Sequence, residues 1–345
     1  MSLQSEILEQ PAVLERLLRM QQEPVREMAR AIRRAGVHSI FVAARGSSDN
    51  AALYGKYLWG AMNRLPVALA APSLFTIYRT PPDLKGSLVV GISQSGQSPD
   101  IVSVVAEGRR QGALTLAITN DPCSPLAEEA AMVLDMAAGP ERAIAATKTY
   151  TTQLLSLALV SAALSGETRR FEALARVPEL VEETLALDSV IERAAQRYRY
   201  MTQCVVLGRG YNYATAYEWS LKLKELSYVV AEPYSSADFQ HGPVAIVSRG
   251  FPVLAVVPSG AVFDDVMVLL STLAGEYLAE LLVVSNEERA LALAETPLRL
   301  PSELPEWLSP LVAIVPAQLF CYHLTRAMGY DTEAPRRLHK VTRTW

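Results

Sequence analysis

Val89-Val90-Gly91-Ile92 is a short apolar run that stops at Ser93-Gln94-Ser95-Gly96-Gln97-Ser98, and a helical pattern begins at Pro99-Asp100. Backbone N–H groups at a helix start lack intrahelical acceptors and attract anions. Ser93, Ser95 and Ser98 add hydroxyl donors at the same place, so a phosphate could be held there without a cationic side chain. From these residues alone, a Ser/Gly turn with a helix cap is the alternative. Glu218, Lys222 and Glu225 recur at i, i+4 and i+7, on one helical face. A carboxylate beside an ammonium can be tuned to move a proton near neutral pH. The alternative is a solvated face with Glu–Lys pairing. His241 precedes Gly242-Pro243, a turn signal that puts the imidazole on a loop. Of the four histidines it is the best placed to shuttle a proton. Lys340, within Arg336-Arg337-Leu338-His339-Lys340, is an amine that could attack a sugar carbonyl, or one charge of a solvated basic tail.

These groups need elements to hold them. Leu and Met at helical spacing run from about Ser5 to Gly36, and His38 to Ala44 then reads as a strand ending at Arg45-Gly46-Ser47-Ser48. Further strands are expected at Leu88–Ile92, Leu114–Thr119 and Met132–Met136, with helical text between them. Uninterrupted apolar strands alternating with helices indicate a parallel sheet covered on both faces. The second half repeats the pattern. Cys204 to Leu207 runs into Gly208-Arg209-Gly210 as the first strand runs into Arg45-Gly46, and Pro252–Val257 and Leu281–Ser285 follow. The fold expected is therefore α/β, with two tandem doubly wound parallel-sheet domains. Their boundaries are an N-terminal helical segment 1–35, domains 36–180 and 181–330, and a tail 331–345. Ser47 and Ser48, at a neighbouring strand end, would complete the cradle begun by Ser93.

Composition narrows the functional class. With 32 basic against 36 acidic residues the formal charge is −4, which favours neither a nucleic-acid surface nor an anionic membrane. Cys123, Cys204 and Cys321 are widely spaced and form no C-x-x-C pair, so buried free thiols are expected. The start Met1-Ser2-Leu3-Gln4-Ser5-Glu6 lacks the basic and apolar regions of a signal peptide, and Leu154–Leu164 reads as a buried helix rather than a membrane span. A cytoplasmic location is the expectation.

Several strings together resemble the sugar-isomerase (SIS) family, and within it the isomerase half of the glutamine–fructose-6-phosphate aminotransferases. They are Glu6-Ile7-Leu8-Glu9-Gln10-Pro11, Ser93-Gln94-Ser95-Gly96, Ala138-Gly139-Pro140-Glu141, Ala145-Ala146-Thr147-Lys148 with Thr151-Thr152-Gln153-Leu154, Leu207-Gly208-Arg209-Gly210, Leu221 through Pro243, and Pro335 to Lys340. The resemblance implies SIS-type, flavodoxin-like domains. It places Gly46, Ser47, Ser48, Ser93, Gln94, Ser95, Ser98 and Ala145 where the family binds the sugar phosphate. Members often carry Thr at the Ser98 position, which keeps the hydroxyl. Glu225 then matches the base that moves a proton between C1 and C2, and Lys222 and Glu218 match supporting positions. His241 matches the ring-opening residue, supplied in the family by a neighbouring subunit, and Lys340 the tail lysine that meets the open-chain sugar as an imine. Ala146 departs from the Ser usual in the synthases.

The glutaminase domain of those synthases carries a nucleophilic Cys after Met1; residue 2 here is Ser, so no glutaminase activity is expected of this sequence. The resemblance therefore implies a stand-alone enzyme that deaminates glucosamine 6-phosphate to fructose 6-phosphate. A deglycase or amine-exchanging isomerase on the same scaffold is the alternative, and a non-catalytic phosphosugar-binding regulator is the reading from another class. Proton transfer of this kind needs a positioned base, so neither a metal nor a redox cofactor is expected. The expected partners are a small phosphosugar and a second copy of the chain sharing His241, with no nucleic acid or membrane.

Overall fold

The computed structural model describes residues 2–340. Two units emerge, each built on its own sheet. Unit A comprises Ala12–Glu141, Lys148–Arg176 and the described residues from His339. Unit B comprises the described residues up to Pro11, then Arg142–Thr147 and Val177–Leu338.

Unit A contains β1 (Ser39–Ala43), β2 (Val67–Leu69), β3 (Ser87–Ser93), β4 (Leu114–Thr119) and β5 (Met132–Asp135), in the order β2-β1-β3-β4-β5. Every pairing is parallel, with Ala43 opposite Gly91 and Ser93 opposite Thr119. All seven residues of β3 are buried, as its unbroken apolar text requires for a central parallel strand. Val89 packs with Val104, Val105, Ala117 and Leu126 in the core beneath the sheet. Each fully buried aliphatic side chain contributes about 1.5–3 kcal/mol of transfer free energy. The Lys148–Ser165 helix is buried all round from Lys148 to Ala163, its polar first turns included, and the apolar run expected from the sequence, Leu154 to Ala163, lies inside that stretch.

Unit B contains β6 (Gln203–Gly208), β7 (Val230–Ser235), β8 (Pro252–Val256), β9 (Glu280–Ser285) and β10 (Thr296–Arg299), ordered β10-β9-β8-β6-β7, again all parallel. Counted from its own first strand this is the order of unit A, 2-1-3-4-5, the flavodoxin-like arrangement. The fold is thus α/β with two parallel five-stranded sheets and helices packed around them. The Glu306–Ala327 stretch is long and apolar enough to cross a membrane, but its most apolar 18-residue window is wholly buried, as in a core helix.

Two expectations need correction. The N-terminal helical text forms two helices, Leu3–Leu8 and Gln10–Arg34, broken at Glu9. Of the three thiols only Cys204 and Cys321 are buried. Cys123 is exposed, because it sits in the polar turn after β4, where its N–H donates to Asp121 Oδ1 at 3.0 Å.

Candidate active site

The loops after β1 and β3 flank the point where the strand order of unit A reverses. Open parallel sheets of this order take their ligands at that crevice. After β1, Gly46 adopts φ 55° and leads into the Ser47–Asn63 helix. Arg45, at the end of the strand, places Nε 2.8 Å from Oδ2 of buried Asp100, which ties the first loop to the start of the Pro99–Arg110 helix behind the second. Desolvation lifts the Asp49 carboxyl above its ordinary value, and the Arg45 guanidinium pulls it the other way. In the second loop Gly96 has φ 63°, and a Cβ there would lie 2.0 Å from Ser124 Oγ, so a side chain would break the turn.

The serines are oriented by what they accept. Ser93 Oγ accepts the Gly96 N–H at 3.1 Å, Ser95 Oγ the Gln97 N–H at 3.3 Å, and Ser48 Oγ the Gln153 Nε2–H at 2.9 Å. A hydroxyl has one proton and two lone pairs. Among the described residues each of these three accepts and none donates, so each keeps its proton for an oxygen in the crevice. Ser98 is the N-cap residue of the Pro99–Arg110 helix, yet its side chain makes no capping hydrogen bond. The helix-cap alternative therefore does not describe this serine. Gln94 is half-buried, and its carbonyl accepts the Asn120 N–H at 3.2 Å.

In unit B the helix Tyr213–Lys222 widens over Leu223–Ser227 into a π-turn, an irregularity frequent at functional sites. Lys222 Nζ lies 3.4 Å from Glu218 Oε1 and 2.5 Å from Glu225 Oε2, and the side chains are 2%, 0% and 24% exposed in that order. The solvated-face alternative fails here, because Glu218 and Lys222 are buried. The ammonium balances an inner carboxylate and fixes an outer one that water can still reach. Ser220 Oγ donates to the Ala231 carbonyl and fastens the helix to β7. The π-turn ends at Tyr228, whose left-handed φ of 58° is unusual for an aromatic residue. The Tyr228 hydroxyl accepts the Arg336 N–H at 2.9 Å. The Arg336 guanidinium stacks 4.5 Å from the Tyr228 ring centre and 5.0 Å from that of Tyr330.

The described part of the basic tail is tethered through Arg336 and Lys340, while Arg336, Arg337 and His339 remain exposed. Lys340 Nζ lies 2.6 Å from Glu141 Oε2 in unit A. His241 is exposed in the turn after Phe239. Its N–H donates to the Asp238 carbonyl at 3.0 Å, and no described contact ties its ring to Glu218, Lys222 or Glu225. Ala145 is buried in the loop Arg142–Thr147, which belongs to unit B. That loop hangs on buried Glu6, whose carboxylate accepts the N–H groups of Arg142 at 2.6 Å and Ala143 at 3.1 Å. Gln318 Nε2 adds a bond to the Thr147 carbonyl at 3.3 Å.

The structure therefore places Gly46, Ser47 and Ser48 after β1 and Ser93, Gln94, Ser95 and Ser98 at and after the end of β3, its parallel neighbour, and brings Glu218, Lys222 and Glu225 into one cluster. Sequence reasoning missed Gln153, Glu141 and Glu6 as supports. All three lie inside the strings that carried the resemblance, which was the available signal.

A family model described as SIS domain matches residues 35–163 and 201–328. The glutamine–fructose-6-phosphate aminotransferase (isomerizing) of Thermus thermophilus is 33% identical over 350 residues, covering 97% of this chain and 57% of that protein. The chain spans little more than half the length of the curated relatives it matches. A solved structure from Silicibacter pomeroyi, provisionally assigned as a phosphosugar isomerase, aligns with a TM-score of 0.86 at 32% identity, over 96% of this chain and all of that one. The C-terminal domain of glucosamine–fructose-6-phosphate aminotransferase from Francisella tularensis aligns with a TM-score of 0.87 at 28% identity, over 96% and 98%.

Proposed function

The chain belongs to the SIS domain family and is homologous to the isomerase part of the glutamine–fructose-6-phosphate aminotransferases, and on that premise we propose that it deaminates glucosamine 6-phosphate. The overall reaction is glucosamine 6-phosphate plus water to fructose 6-phosphate plus ammonia. The cluster of Glu218, Lys222 and Glu225 carries this reading. A base for carbon acids must be fixed in direction and open to substrate, and Glu225 combines a 2.5 Å bond to a buried ammonium with partial exposure. Its partner Glu218 is fully buried, so Lys222 stays in place when Glu225 exchanges its proton.

In this reading the phosphate lies among Ser47, Ser48, Ser93, Gln94, Ser95 and Ser98, which donate hydroxyl and amide protons to its oxygens. His241 opens the sugar ring, and its exposed turn suits contribution from a second copy of the chain. Glu225 then removes the C2 proton and returns it to C1, which leaves an imine at C2. Water adds to that imine and ammonia departs. Lys340 meets the open-chain carbonyl from the tail. Written in this direction the reaction asks only for water as co-reactant.

Ammonia release from glucosamine 6-phosphate, measured beside a Glu225→Gln variant, tests the reading. A general base is worth about 10²–10⁴ in rate, so release should fall by that factor while phosphosugar binding persists. Binding without any release from the unaltered protein would refute the deaminase assignment and direct attention to fructosyl-amine phosphates.

A further inference from the structure

The Lys340 ammonium is seated on a carboxylate that is itself locked to a helix. Lys340 is 26% exposed at its side chain, and Glu141, 2.6 Å away, is 0% exposed. A buried carboxylate must find donors. Glu141 Oε1 accepts the Thr149 N–H at 3.1 Å and Oε2 the Thr149 Oγ1–H at 2.7 Å, at the first turn of the Lys148–Ser165 helix. One turn farther on, Gln153 Nε2 donates to Ser48 Oγ, in the phosphate cradle, at 2.9 Å. Thr149 and Gln153 stand at i and i+4, on the same helical face. Four residues of α-helix rise about 6 Å. A single helical turn within unit A thus holds the tail amine at one end and a cradle hydroxyl at the other.

We propose that Glu141 is a positioning residue for Lys340, setting the amine at a fixed distance from the phosphate cradle. A sugar gripped there by its phosphate then presents its open-chain carbonyl to the amine. The proposal rests on the reading above, that the chain takes a phosphosugar and that Lys340 meets it. A lysine side chain free of such a partner samples many rotamers. A misplacement of about 1 Å can cost about a hundredfold in rate.

The experiment compares the full chain with Glu141→Gln, Lys340→Ala and the double variant, in ammonia release from glucosamine 6-phosphate. Reductive trapping with fructose 6-phosphate and cyanoborohydride accompanies it. In trapping, the Lys340 amine adds to the carbonyl, water leaves, and hydride from the reagent reduces the C=N bond to a secondary amine, located by peptide mass spectrometry. Glu141→Gln should lower kcat by about 10- to 100-fold with KM changed less than about threefold, since the phosphate contacts are untouched. Trapping on Lys340 should fall in step, and the double variant should be no slower than the slower single variant. Thr149→Val, which removes one donor from Glu141 and leaves both charges, should give a smaller fall in kcat and in trapping. If Glu141→Gln does not fold, this variant decides the matter. Wild-type kcat and trapping in Glu141→Gln or Thr149→Val, with Lys340→Ala impaired, would overturn the role of Glu141. Unimpaired Lys340→Ala would instead overturn the reading of the tail lysine. A loss of thermal stability without loss of kcat or trapping would mark Glu141 as merely structural and also overturn the proposal.

Discussion

Replacing Lys222 by methionine removes the ammonium that lies 3.4 Å from Glu218 and 2.5 Å from Glu225. At an effective dielectric constant of about 20, the gross pull across 3.4 Å is about 5 kcal/mol. Desolvation of both ions offsets much of that in the native protein. Removing one partner of a buried pair restores none of the lost hydration to the other, and costs about 3–5 kcal/mol. Glu218 is the residue that bears this penalty, being fully buried, whereas Glu225 keeps water on its outer side. With an m-value of about 3 kcal/mol/M, the urea midpoint should fall by roughly 1–1.7 M. Circular dichroism across a urea titration reads it directly. The companion variant, Glu218→Gln with Lys222→Met, removes the buried carboxylate charge as well and should recover much of the loss, because neutral replacements of buried pairs are close to isoenergetic. A midpoint shift below about 0.3 M in the single variant would refute the reasoning. So would a double variant no more stable than the single one.

Two further outcomes follow from the geometry. Gly96→Ala should cost about 1–3 kcal/mol in backbone strain alone and abolish protection of the protein by phosphosugar in thermal melts, since φ is 63° and the new Cβ meets Ser124 Oγ. Burial raises the thiol pKa of Cys204, and raises that of Cys321 well above its ordinary value, while Cys123 is exposed. Both buried thiols thus stay protonated as pH rises through the range where a free thiol ionises, so a thiolate-specific reagent at pH 8 should titrate one thiol in the native chain and three after denaturation.

The sequence was legible where a strand or a turn carries its own pattern. β1, β3, β4, β6, β8 and β9 read directly as apolar runs because they are interior strands. The strands left unread, β2, β7 and β10, are all sheet edges, and the fourth edge, β5, was read at Met132–Met136. β2 has three residues, and β7 and β10 contain Pro233 and Pro297, the devices by which edges avoid further pairing. At the site, the spacing of Glu218, Lys222 and Glu225 was legible because a helix converts it into one face. The widening at Leu223–Ser227 was not, since nothing in an i, i+4 pattern encodes a π-turn. Glu141 escaped notice because its partner Lys340 lies 199 positions away, a proximity that only the folded chain creates.

The loop after β3 in unit A presents serine hydroxyls oriented by the Gly96 and Gln97 amides, and the guanidinium of Arg45 is already matched by Asp100. A dianion seated there would be held by dipoles, whose reach ends at contact. Cationic phosphate sites draw ligands from a distance and lose affinity as salt rises, because they work through a field that counterions screen over about 8–10 Å. A dipolar site on a chain of net charge −4 works in the opposite sense. Added salt weakens the long-range repulsion and leaves the short-range grip unchanged, so affinity would hold or rise with ionic strength.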